Sequence, residues 1–145
     1  LKNYLFNGLK KYNDFLIPPK IEKNTTYIPY MIKWLWLPNT KYKISRNELV
    51  KILNEEGIPV GAGYSRLMHE NPIFTKKIAY TNGLPWIYFD GKKVIKSKIK
   101  YGTGSLNRSE TINKKFIWFK FINYPNTKKD MDDVIKAFNK ILDNL

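Results

Sequence analysis

The chain has no cysteine and a single histidine, His69. Without thiols, disulfides and thiolate metal sites are excluded, and with one imidazole only an all-oxygen metal site stays open. No apolar run approaches the ~20 residues that a membrane-spanning helix needs. No basic n-region followed by a short apolar h-region opens the sequence. A reducing compartment is allowed, and the cytoplasm is the expected location.

Arginine is scarce as well: Arg46, Arg66 and Arg108 stand against 23 lysines. A formal net charge of +14 ordinarily points to nucleic acid or an anionic surface. Arginine, however, is the planar reader of phosphates and guanine edges, and the lysines are spread along the chain. With 15 asparagines beside them, they read as the codon choice of an A+T-rich genome on a solvated surface. Neither a specific nucleic-acid partner nor a membrane is expected.

Ordered carboxylates are missing too. Asp130, Asp132 and Asp133 crowd the start of a helix, where capping explains them. The glycine-rich stretch "GTGS" at 102–105 lacks phosphate-loop spacing. "VGAG" at 60–63 is not followed by the helix that a dinucleotide fingerprint requires.

What is present suffices for a folded core. The chain has 145 residues, of which 43% are apolar and 15% aromatic. Residues 1–15 carry apolar residues near helical spacing and read as the back half of a helix, so the chain is expected to be a piece of a longer protein. "TTYIPYMIKWLWL" at 25–37 reads as a strand covered on both faces. "ISRNELVKILNEEG" is a well-punctuated helix, with an S-x-x-E capping box at Ser45 and Glu48 and Gly57 placed just past the end. Residues 58–64 form a strand, and Asp90-Gly91 marks a hairpin. Residues 116–122 form another strand, and the closing helix carries one apolar stripe. The fold class expected is α+β: a small mixed sheet of about three main strands packed by helices. The strand–helix–strand unit should place strands 27–37 and 58–64 in one sheet, parallel and with a right-handed crossover.

The segment "GIPVGAGYSRLMHENPIF" carries the candidate site. Gly61 and Gly63 sit in a strand, where glycine implies a bulge or a close approach. Tyr64, Arg66, His69 and Asn71 follow from the strand's end, where sites tend to sit. Read from residue types alone, the segment is either such a site or a bulged strand with a surface loop. Arg66 to Pro72 is expected to leave the sheet as an exposed, loosely held loop with His69 in solvent. His69 buried in the core, or a helix over 58–64, would break both the fold assignment and the role as a substrate-side wall.

"SRNELVKILNEEGIPVGAGYSRLMHENPIF" resembles the carboxy-terminal domain of the DegT/DnrJ/StrS sugar aminotransferases. In "RLMHENPIF", Leu67, His69, Pro72 and Phe74 hold the places of that family's loop. "RSETINKKFIWFKF" and "KKDMDDVIKAFNKIL" resemble its closing pattern, whereas 81–104 matches poorly and reads as an insertion. The resemblance implies the small domain of a fold-type I transferase dependent on pyridoxal phosphate. Residues 1–16 would be the tail of an interdomain helix and 17–145 a single domain, with the large cofactor-binding domain lying outside this chain. It implies an amino-acid donor, a keto-sugar nucleotide or keto-cyclitol substrate, and a homodimer for the whole enzyme. No segment matches the Schiff-base lysine, the pyridinium aspartate or the phosphate cup, so no cofactor, no catalytic residue and no activity are expected of this chain alone. Tyr64, Arg66, His69 and Asn71 would line the substrate side of the cleft. The alternatives are a small basic nucleic-acid module and a stand-alone dimerisation or regulatory domain.

Scattered lysines give counterion release without base readout. The chain should therefore bind DNA weakly and without sequence preference. Titrating labelled duplexes at low and near-physiological salt checks this; sub-micromolar, salt-resistant, sequence-selective binding would favour the nucleic-acid module instead.

Overall fold

A computed structural model describes residues 1–39 and 42–145. In chain order the elements are helix α1 (Lys2–Gly8), strands β1 (Leu16–Ile17) and β2 (Ile32–Trp36), helix α2 (Arg46–Glu55) and strand β3 (Val60–Ala62). There follow the one-turn helix α3 (Pro72–Thr75), strands β4 (Ile87–Asp90) and β5 (Lys93–Lys96), helix α4 (Asn107–Lys115), strand β6 (Phe116–Phe119) and helix α5 (Lys128–Asp143). The fold class is α+β. The residues group into two compact units, one of 1–63 with 114–145 and one of 64–113.

In the first unit a four-stranded sheet has the order β1-β2-β6-β3, and every ladder is antiparallel. Strands β2 and β3, joined through α2, share this sheet and run parallel to each other, with β6 between them. The two-residue strand β1 escaped the sequence reading because it is too short to show a period.

Local chemistry explains why α2 starts and stops where it does. The Ser45 hydroxyl accepts from the Glu48 amide (3.2 Å), and the Glu48 carboxylate accepts from the Ser45 amide (2.7 Å). At the other end the Gly57 amide donates to the Asn54 carbonyl and the Ile58 amide to the Leu53 carbonyl. That is a Schellman closure, and Gly57 supplies the positive φ (82°) it needs at the residue after the cap. Leu53 and Ile58, which bracket the closure, are both buried.

Cross-strand register decides which side chains meet. Ile32 lies opposite Phe119, and Trp34 opposite Ile117. Val60 lies opposite Phe119, and Ala62 opposite Ile117. This face carries the core, which α1 with its C-cap residue Leu9, α2 and α5 complete with Leu5, Leu9, Leu49, Leu53, Met131 and Phe138. Leu5 and Leu9 belong to the stretch expected to be an interdomain helix tail, and they are buried in this core. Strand β2 alternates buried and half-buried positions instead of being sealed on both faces.

On the opposite face, Gly61 lies across from Trp118. A Cβ at Gly61 would collide with the Trp118 ring, whose Nε1–H donates to the Gly63 carbonyl (2.9 Å). The close approach that the glycine implied is thus made by this chain's own indole, not by a ligand.

The second unit is held by three rings. Phe74 and Trp86 meet edge-on, Phe74 and Tyr101 are tilted at 5.5 Å, and the Trp86 Nε1–H donates to the Tyr101 hydroxyl (2.9 Å). Beside them β4 and β5 form the hairpin expected at Asp90-Gly91, with Gly91 at φ 60° in the first loop position. Among the described residues no helix is long and apolar enough to cross a membrane.

Replacing Gly61 with alanine should cost about 2 kcal/mol through overpacking. Urea denaturation of Gly61→Ala, Trp118→Leu and the double variant checks it. The glycine substitution should cost much less once the indole is gone; an equal cost in both backgrounds would refute the packing account.

Candidate functional site

Strand β3 ends at Ala62, and the chain enters the second unit at Tyr64. The Tyr64 backbone is clasped by one side chain: the Asn113 Oδ1 accepts from the Tyr64 amide (2.7 Å) and the Nδ2 donates to the Tyr64 carbonyl (3.0 Å). The Tyr64 side chain is left 44% exposed, and Arg66 is exposed beside it. Among the described residues, the Arg66 guanidinium has no ion-pair or hydrogen-bond partner.

His69 corrects the expectation. It is not in solvent but 6% exposed, within the second unit and outside the main core. Its Nε2–H donates to Glu110 Oε1 (2.9 Å). The same oxygen accepts the amides of Gly104 (2.8 Å) and Leu106 (3.3 Å). The physical reason for burial is that the imidazole has found a carboxylate, which offsets the cost of leaving water. A substrate wall that depends on a solvent-facing His69 falls; what remains of it rests on Tyr64 and Arg66.

Nor is the loop loosely held. The Glu70 carboxylate accepts from the Leu67 amide (3.1 Å) and from the Thr103 hydroxyl (3.2 Å). The Gly102 amide donates to the His69 carbonyl (2.9 Å). The "GTGS" loop therefore serves as the partner of the 67–70 turn. Asn71 is half-buried and acts through its backbone, its carbonyl accepting from Phe74 and Thr75 at the start of α3. Met68 is 70% exposed, and Leu67 is partly covered.

Sequence reasoning missed Glu70, Glu110 and Asn113. For Glu110 one local signal existed, an acidic residue in the first turn of the helix that follows a glycine loop.

Beside this network an open cleft of about 330 Å³ is lined by Leu67, Met68, His69, Phe74, Tyr101, Leu106 and Ser109. Among the described residues, no three of His, Cys, Asp and Glu converge as a metal ion would require. The hydrogen bond from His69, seconded by the two amides, holds the Glu110 carboxyl below its ordinary value, against an opposing contribution from desolvation. No family model matches the chain, and no curated protein matches it.

Because the folded-state carboxyl is depressed, its stabilising effect is whole above the ordinary value of 4.5 and is lost as the pH falls through the lower folded-state value. Amide exchange at Gly104 and Leu106 should accelerate as the pH drops through that window, after correction for intrinsic rates. In Glu110→Gln these amides should be less protected at pH 7, and the acid dependence should flatten. Identical exchange profiles for the two proteins would contradict the assigned role.

Proposed function

We propose that this chain is the carboxy-terminal domain of a pyridoxal-phosphate-dependent aminotransferase acting on a keto-sugar nucleotide or keto-cyclitol. It contributes a substrate-side wall and is inactive alone. The observation that carries the reading is the run from capped α2 through β3 to Tyr64. It joins the residues of the DegT/DnrJ/StrS-like pattern to a strand end followed by an exposed tyrosine and an exposed arginine two positions apart, with Ser65 between them.

The described residues do not fit the cofactor itself. Among them no lysine is buried, and Lys77, which lines a small cleft, gives its amine to the Ser97 carbonyl (2.9 Å). Pyridoxal phosphate and the amino-acid donor belong, on this reading, to a large domain, and the whole enzyme to a homodimer. This chain's own residues bind and orient. Arg66 offers a planar fork to a diphosphate or carboxylate. Tyr64 offers a ring face to the sugar or base. His69 and Asn71 act from within, by setting the path of the loop.

Two measurements test the reading. Titrating the isotope-labelled chain with UDP-glucose should shift the amides of 64–66 with a Kd of about 1 mM or weaker, and Arg66→Ala should abolish those shifts. Silence at 64–66, with shifts elsewhere or none, refutes the wall. Incubation with pyridoxal phosphate and borohydride should trap no single lysine stoichiometrically; one specific adduct would overturn the assignment of the cofactor to another domain.

A further inference from the structure

We propose that the cleft floored by His69 is a binding site for a small phenol. This does not rest on the aminotransferase reading, which takes its contacts from Tyr64 and Arg66 and uses His69 only to set the path of the loop.

The argument begins with the imidazole. Glu110 fixes the proton on Nε2, so in the neutral ring Nδ1 carries the lone pair. Among the described residues Nδ1 has no hydrogen-bond partner, and it is not sealed from solvent. His69 is 6% exposed and is one of the residues that line the cleft, and we take Nδ1 as the atom turned to it. A buried histidine oriented by a carboxylate and leaving its second nitrogen bare is a placed hydrogen-bond acceptor.

The rest of the cleft selects what brings the donor. Leu67, Met68, Phe74, Tyr101 and Leu106 make the walls apolar, and no lysine or arginine lines them. A phosphate or carboxylate would lack a counter-charge there. Phe74 and Tyr101 offer ring contacts and Met68 a thioether, surroundings that favour an aromatic guest. The volume of about 330 Å³ suits a one-ring molecule. A phenol satisfies every condition: its ring meets the walls and its hydroxyl donates to Nδ1.

The test exploits the lone histidine, because every imidazole signal of this chain comes from His69. The labelled chain is titrated at pH 8 with p-cresol and, separately, with 4-methylanisole, which keeps the shape but lacks the donor. The cresol should bind about tenfold more tightly, and only the cresol should shift Nδ1 in the direction of an accepted hydrogen bond. Equal affinities, or an unmoved Nδ1, overturn the proposal. Leu106 is 51% exposed at the rim, so Leu106→Arg should fold normally and lose both ligands; unchanged binding would refute the location. N-acetyltyrosinamide separates the two sources of a phenol. It should bind more weakly than the cresol, and tighter binding would assign the cleft to a tyrosine of a polypeptide instead of a small molecule.

Discussion

A single carboxylate oxygen, Glu110 Oε1, governs the second unit. It gathers the His69 ring and two loop amides onto one acceptor. Of the three donors only the His69 ring is buried, so removing the shared acceptor would leave the imidazole unpaired away from water while the two exposed amides turn to solvent. The network extends through Glu70, which ties the 67–70 turn to Thr103. A stretch that reads as two unrelated glycine-bearing loops is therefore joined by side-chain and backbone hydrogen bonds beside the cleft.

In the first unit the comparable constraint is steric. Strand β6 pairs on both sides, and on its outer face Trp118 lies across Gly61. The indole claims the space that a side chain on β3 would use and also bonds the Gly63 carbonyl. Together these contacts fix the last residues of β3 and so the point from which Tyr64 and Arg66 depart.

Much of this was legible in the sequence, and the boundary between legible and hidden is physical. Helix α2 could be read to its ends because a capping box and a Schellman closure are local chemistry, complete within a dozen residues. The hairpin at Asp90-Gly91 was legible for the same reason, and α5 because its apolar stripe has a helical period. What stayed hidden was non-local. That β6 separates β2 from β3 depends on a pairing more than fifty residues distant along the chain. The partners of His69 and Tyr64, at 110 and 113, lie more than forty residues away and announce themselves by no periodicity. The solvent-facing histidine was inferred from its place in a loop beyond a strand end, and that place cannot reveal a carboxylate delivered from another element.

The clasp between Asn113 and Tyr64 has an evolutionary consequence. It brings the first and last residues of the second unit together, so everything between them is a closed excursion from the sheet. Lengthening such an excursion raises its closure entropy only logarithmically and leaves the strand ladders untouched. The 81–104 segment, with its hairpin, lies wholly inside this perimeter. The clasp works as a graft junction, across which the excursion can lengthen or shorten while the sheet keeps its pairing.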